Sequence, residues 1–158
     1  MSFNNIKTKL RDERGFTIVE LLIVIVVIGI LAAITIVSFN GVTSKANTSN
    51  AASNAEAVQK VAESFNADNS FYPSTTADFT ATGNTVKLPS GVSVLVSPIA
   101  LSSGNAKTSV LYKYKGTAGA ATGGSVSYWD FTGTPGPSSK VIYVGDAKSG
   151  DTFVQPAS

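Results

Sequence analysis

One carboxylate lies at the edge of a long apolar run. Glu20 is the single charged residue between Phe16 and Ser44, and uninterrupted apolar side chains follow it from Leu21 to Ile28. An ionised carboxylate costs about 2.5–3.5 kcal/mol at the centre of a membrane, and less near its surface. An ion pair with a cation offsets this cost. Glu20 is therefore suited to form an ion pair with a cation.

The composition excludes much other chemistry. The 158 residues, enough for one domain, include no cysteine and no histidine. Disulfides, thiol catalysis and cysteine-ligated metals are therefore impossible, and so is a serine–histidine–aspartate triad. Histidine is the commonest general base and the commonest transition-metal ligand in proteins, and this chain has none. Most classes of enzyme lose support before any motif is considered.

The positive charge is concentrated at the N-terminus. Residues 1–15 carry four basic and two acidic side chains, which accounts for the whole net charge of +2, because the other residues carry eight of each sign. No basic patch remains that would predict a nucleic-acid site. The basic residues directly precede the apolar run. The positive-inside rule therefore predicts a cytoplasmic N-terminus.

The apolar run from Phe16 to Val37 is long enough to cross a membrane as a helix, at about 1.5 Å per residue. A secretory signal peptide would be shorter and would end at a small-x-small cleavage site. Here Leu31 occupies the −3 position relative to Ala33. A plain single-pass anchor fits the length but leaves Glu20 unexplained.

The stretch RGFTIVELLIVIVVIGILAAITIVSFNG closely resembles the class III signal of type IV pilins and type II secretion pseudopilins. The resemblance implies that a prepilin peptidase cuts after Gly15 and N-methylates Phe16. Glu20 then takes the fifth mature position, and Gly29 matches a glycine that is common in the family. Many pilins carry a proline where this chain has Val37.

In the family, the glutamate is thought to pair with the N-terminal amine of an adjacent subunit and to set axial register. Glu20 and Phe16 are therefore the expected assembly residues, and pairing of Glu20 with its own amine is the local alternative. The apolar segment would hold the subunit in the membrane and then form the filament core. This core comprises Leu21, Leu22, Ile23, Val24, Ile25, Val26, Val27, Ile28, Gly29, Ile30 and Leu31.

The predicted fold class is α+β and pilin-like, with one long N-terminal helix packed on a C-terminal antiparallel sheet. Four segments are expected: a cleaved cytoplasmic leader (1–15), a hydrophobic helix (16–40), an amphipathic continuation (41–69) and a β-rich head (70–158). In the continuation, apolar residues recur at helical spacing and predict a stripe that faces the sheet. The stripe consists of Ala51, Ala55, Val58, Val61, Ala62 and Phe65.

Strand-like runs occupy residues 91–97, 109–116, 125–131, 140–145 and 152–154. Glycine and proline predict loops over 115–124 and 132–139 between them. The aromatics of these runs are expected in the core or at its rim. No cofactor is required, although Asp146 and Asp151 in GDAKSGD are candidate calcium ligands. Their spacing does not match an EF-hand, and a solvated turn is the preferred interpretation.

The resemblance implies a structural subunit that is not an enzyme. Its expected partners are copies of itself, the prepilin peptidase, the inner-membrane assembly platform with its ATPase, and the membrane. The subunit would be anchored in the cytoplasmic membrane first and would then join an extracellular filament. The alternatives are a pseudopilin of type II secretion or of a competence DNA-uptake pilus, and a membrane-anchored surface binding module that does not polymerise.

Overall fold

A computed structural model describes residues 15–95, 97, 99–133 and 138–156. The chain divides into two compact units, Met1–Phe39 and Asn40–Ser158. The proposed leader lies outside the described residues except for Gly15. The elements are α1 (Ile18–Asn69), α2 (Thr76–Thr80), β1 (Ser93–Val94), β2 (Ser109–Thr117), β3 (Ala120–Asp130) and β4 (Ser138–Gly145).

The helix α1 is continuous over 52 residues, as the sequence predicts. No proline interrupts it, and both Gly29 and Gly41 are helical. A glycine costs about 1 kcal/mol relative to alanine in a helix interior.

In the second unit, α1 buries the predicted stripe. Ala51, Ala55, Val58, Val61, Ala62 and Phe65 are the buried residues of the helix. Full burial of a valine or phenylalanine side chain contributes about 1.5–3 kcal/mol. The helix ends at Asn69, whose amide donates to the Phe65 carbonyl oxygen, and Ser70 follows with a φ of 66°. Such a left-handed residue is a common way to close a helix, although glycine usually supplies it.

The head contains one four-stranded sheet in the order β1-β2-β3-β4. The strands β2, β3 and β4 pair antiparallel, which confirms that part of the prediction. The short β1 pairs in parallel with β2, so that the sheet is mixed. Only Ser93 and Val94 of the predicted strand 91–97 join the sheet, and residue 96 lies outside the described residues.

The predicted loop over 115–124 is wrong for most of its length. The hairpin turn contains only Ala118 and Gly119, and β3 begins at Ala120. Two of the glycines that suggested a loop serve close packing in β3 instead. A Cβ on Gly124 would lie 2.6 Å from the Tyr112 hydroxyl, and one on Gly123 would lie 2.6 Å from the Val144 carbonyl oxygen. The other predicted loop, 132–139, falls partly outside the described residues.

The face of the sheet toward α1 carries the core. Two cross-strand rows, Tyr112–Val126–Ile142 and Tyr114–Gly124–Val144, point to this face. The ring of Tyr112 packs edge-on against Phe79 of α2, with ring centroids 4.9 Å apart. The sequence reading had not placed α2, although Thr75 and Asp78 form a capping box at its start. These contacts join the helix stripe, α2 and the sheet in one hydrophobic cluster.

The C-terminal segment returns to the sheet after β4. Val154 forms an antiparallel bridge with Tyr114, so that the predicted strand at 152–154 is reduced to one bridging residue. The Gln155 amide donates to the carbonyl oxygens of Leu95 and Ile99, at 3.4 and 2.8 Å. Backbone and amide hydrogen bonds thus hold the end of the chain on the head without a disulfide.

Candidate assembly and processing site

The chain before α1 is accessible. Gly15, Phe16 and Thr17 are exposed and non-helical, and the Phe16 side chain is 86% exposed. A Cβ placed on Gly15 would meet no atom within 4 Å. The peptide bond between Gly15 and Phe16 is therefore exposed, as far as the packing of the described residues is concerned.

Thr17 and Glu20 form a reciprocal cap at the start of α1. One Glu20 carboxylate oxygen accepts hydrogen bonds from the Thr17 backbone N–H, at 2.8 Å, and from the Thr17 hydroxyl, at 2.7 Å. The Glu20 backbone N–H donates to the Thr17 hydroxyl oxygen at 3.2 Å. This is a Thr-x-x-Glu capping box, which satisfies backbone donors that a helix start otherwise leaves unpaired. Glu20 therefore begins the helix in addition to carrying the charge.

Glu20 has no cation as a partner among the described residues, where the ion pairs involve Lys115 and Lys140 only. The next basic residue along the helix, Lys45, is 25 positions away. The capping hydrogen bonds satisfy one carboxylate oxygen and leave the negative charge uncompensated. In lipid this charge would be neutralised by a positive group that the described residues of the uncleaved chain do not supply.

The helix beyond Glu20 exposes apolar side chains on every side. From Leu21 to Leu31 the large apolar residues are between 49% and 61% exposed. An 18-residue window of α1 has a mean hydropathy of 3.2, and none of that window is buried. The helix is thus long and apolar enough to cross a membrane. A helix that is hydrophobic all round requires lipid or other helices around it.

The two calcium candidates have a cation of the protein's own beside them. The Lys115 ammonium lies 3.2 Å from an Asp151 carboxylate oxygen and 3.4 Å from one of Asp146. The Lys148 backbone N–H also donates to Asp151, and the Thr122 hydroxyl donates to Asp146. Within the described ranges, no group of three or more histidine, cysteine or acidic side chains could hold a metal ion.

Sequence reasoning missed two contributors to these sites. Thr17 caps α1, and its signal was the Thr-x-x-Glu spacing directly before an apolar run. Lys115 forms ion pairs with both Asp146 and Asp151, but its distance from them along the chain gave no local signal.

Comparison with known proteins places this N-terminal region in a family. The family model described as "Prokaryotic N-terminal methylation motif" matches residues 10–36. "Type II secretion system core protein G" of Dickeya chrysanthemi is 37% identical over 65 residues, which are 41% of this chain and 42% of the relative. The protein of the same name from Escherichia coli K12 is 36% identical over 63 residues, or 40% and 43% of the two chains.

A second kind of relative also matches. "Fimbrial protein" of Pseudomonas aeruginosa is 40% identical over 55 residues, which are 35% of this chain and 36% of the relative. The chain thus spans less than half of the length of each of these relatives. No solved structure matches.

The motif, the relatives and the long helix packed on a sheet define a prepilin-like protein. The N-terminal region carries the signature of the type IV pilin and pseudopilin family. Within that family, its relatives include both secretion core proteins and a fimbrial protein.

Proposed function

We propose that this protein is a structural subunit of a type IV pilus-like filament. A prepilin peptidase cleaves the precursor after Gly15 and methylates the new amine of Phe16, and the subunits polymerise through the apolar part of α1. The observation that carries the proposal is the exposure of that helix segment on every side. Such a surface is satisfied first by lipid and then by copies of the same helix.

Glu20 supplies the assembly contact in this proposal. Cleavage creates a protonated amine on Phe16, and the carboxylate of Glu20 lacks a cation among the described residues. The amine of an adjacent subunit neutralises the carboxylate and fixes the axial register of the two helices. The cost of an unpaired charge in lipid then favours the assembled state over the isolated subunit.

The same proposal gives the location and the partners. The basic leader keeps the N-terminus in the cytoplasm, and the head crosses to the other side. An inner-membrane platform with its ATPase extracts the subunit into the filament. The protein is the substrate of the peptidase and has a structural, non-catalytic role, which agrees with the names of its relatives.

A pseudopilin is the second candidate, favoured by the matches to secretion core protein G over stretches of 63 and 65 residues. Deletion of the gene separates the two. Loss of long surface filaments with normal protein secretion supports the pilus. Retained surface filaments with a secretion defect support the pseudopilin instead.

Purified filaments test the proposal directly. Intact-mass and peptide analysis should find N-methylated Phe16 as the first residue of the filament subunit, and a strain without prepilin peptidase should accumulate the full-length chain and form no filaments. Filaments built from chains that still begin at Met1 would contradict the proposal. A chain that is processed but never found in filaments would support the tethered binding module.

A further inference from the structure

The outer face of the sheet, opposite α1, contains an open groove of about 320 Å³. Two cross-strand rows shape it. In one row Lys113 and Tyr143 flank Ser125, and in the next Leu111 and Val141 flank Ser127. The central strand β3 therefore contributes two small residues between larger ones. The groove therefore has serine side chains at its floor and larger side chains of β2 and β4 along its two sides.

Three polar groups of the groove lack partners among the described residues. Among the described residues, the Lys113 ammonium makes no ion pair, and no hydrogen bond involves the Ser125 or Ser127 hydroxyl. The carboxylate at one end of the groove, Asp151, is already paired with Lys115. The groove therefore offers one ammonium group without an ion-pair partner and two hydroxyls without hydrogen bonds, of which Ser125 lies at the floor and is 4% exposed.

The side of the groove on β4 and the adjoining C-terminal segment carry aromatic residues. The Tyr143 side chain is 37% exposed although it stands on the sheet, and its ring stacks on Phe153 with centroids 6.1 Å apart and an interplanar angle of 29°. Bound small molecules are generally held by apolar walls together with a few polar groups that fix their orientation. An exposed aromatic ring beside free hydroxyls and a cation meets this description.

We propose that this groove binds an acidic sugar unit, that is, a hydroxylated ring that carries one carboxylate. The carboxylate pairs with the Lys113 ammonium, the hydroxyls exchange hydrogen bonds with Ser125 and Ser127, and the C–H face of the sugar ring packs on Tyr143. A purely apolar ligand would leave Lys113 and both serines unpaired at a cost. A neutral sugar would leave the positive charge without a partner.

The full chain in detergent micelles allows a direct test by isothermal titration calorimetry. Trigalacturonic acid is the acidic probe, and maltotriose is the neutral probe of similar size. EDTA in the buffer keeps calcium from bridging the probe and the protein. We expect trigalacturonic acid to bind and maltotriose to bind at least about tenfold more weakly, since the hydrogen bonds to a charged group are lost.

Two variants assign the binding to the groove. Lys113→Gln should weaken binding of trigalacturonic acid about tenfold. Lys87→Gln, which changes an exposed lysine in the loop before β1, should leave it unchanged. Equal melting temperatures of the variants and the wild type would show that the head remains folded. Galacturonic acid itself distinguishes a free sugar acid from a polysaccharide, because only a free-ligand site would bind the monomer as well as the trimer.

Three outcomes would overturn the proposal: no binding of either probe, equal binding of the acidic and the neutral probe, or equal loss in Lys113→Gln and Lys87→Gln. None of these outcomes bears on filament formation, which is read by microscopy. The groove and the assembly proposal can therefore fail separately.

Discussion

The Glu20 carboxylate accepts two hydrogen bonds from Thr17, at 2.7 and 2.8 Å, within the first turn of α1. The residue proposed to set filament register thus also caps its own helix. The two roles depend on different properties. Capping requires an acceptor oxygen, whereas pairing with an amine in lipid requires the negative charge.

Substitution of Glu20 separates these roles. Glutamine keeps an acceptor oxygen at the same position and can replace the cap, but it cannot form an ion pair. We expect Glu20→Gln to reduce filament number about tenfold or more, because the amine of Phe16 would enter the helix bundle unpaired. Electron microscopy of filaments, together with immunoblotting for total subunit, measures this effect.

Thr17→Ala is the matched control. It removes the capping hydroxyl, which costs a helix about 0.5–2 kcal/mol, and leaves the charge in place. We expect filaments at a level close to that of the wild type. If Glu20→Gln assembles normally while Thr17→Ala does not, the cap and not the charge is the function of Glu20.

Two buried tyrosines should respond in opposite ways to loss of the hydroxyl. The Tyr112 hydroxyl is buried without a hydrogen-bond partner among the described residues, and burial raises its pKa. Tyr112→Phe should therefore increase the free energy of unfolding by about 1 kcal/mol. Tyr72 donates to a Glu63 carboxylate oxygen at 2.6 Å, and Tyr72→Phe should lower that free energy by about 1 kcal/mol.

Urea unfolding, followed by the fluorescence of the single tryptophan, Trp129, measures both changes. A loss of stability in Tyr112→Phe would show that the hydroxyl has a partner in solution.

The cluster around Lys115 predicts a pH dependence of the C-terminal segment. Hydrogen bonding to Asp151 raises the pKa of Lys115, and the Lys148 N–H followed by Lys115 lowers the pKa of Asp151. The carboxylate stabilises the fold above its unfolded pKa of about 3.9, and the ammonium does so below about 10.4. This dependence can be measured as the protection of the Val154 amide from hydrogen exchange, corrected for intrinsic rates. It should be constant between these two pKa values, and it should decrease when the pH is lowered beyond about 4.

Lys115→Met should reduce the protection of Val154 at neutral pH, and Lys87→Met should leave it unchanged. Equal protection in both variants would mean that the ion cluster does not hold the segment.

Calcium should not stabilise the head, because the Lys115 ammonium already lies within ion-pair distance of both Asp146 and Asp151. We expect the same melting temperature in calorimetry with millimolar calcium and with a chelator. A rise in melting temperature on addition of calcium would restore the two aspartates as metal ligands.

The end of α1 offers a stabilising substitution. Ser70 has a φ of 66°, where a side chain on Cβ is strained and glycine is not. Ser70→Gly should raise the free energy of unfolding by about 0.5–1 kcal/mol, and Ser70→Ala should not. Urea unfolding compares the three proteins. A destabilised glycine variant would indicate that the Ser70 side chain makes a contact worth more than the strain.

Periodicity in the sequence was sufficient to predict α1 and its buried stripe. Ala51, Ala55, Val58 and Ala62 recur at helical spacing, and each is buried. The strands were harder to predict, because glycine has two uses. In β3, Gly123 and Gly124 make room for a carbonyl group and a tyrosine from neighbouring strands, and a single sequence does not distinguish that use from a turn.

Contacts between distant positions were not predictable in the same way. The parallel pairing of Ser93 with Ser109 depends on how the loop between them folds back. The pairing of Lys115 with Asp146 and Asp151 brings together residues more than 30 positions apart. At the N-terminus, by contrast, Gly15, Phe16 and Glu20 lie within one continuous motif, so that a processing and assembly site could be proposed from the sequence alone.

The closure of the head by Lys115, Gln155 and the Val154 bridge bears on how the subunit matures. A head that is fastened by a disulfide must meet a thiol-oxidising catalyst after it leaves the cytoplasm, and its supply then depends on that catalyst. This chain has no thiol to oxidise. Its head completes the fold with groups of its own, so the supply of finished subunits is independent of the redox state of the compartment in which they fold.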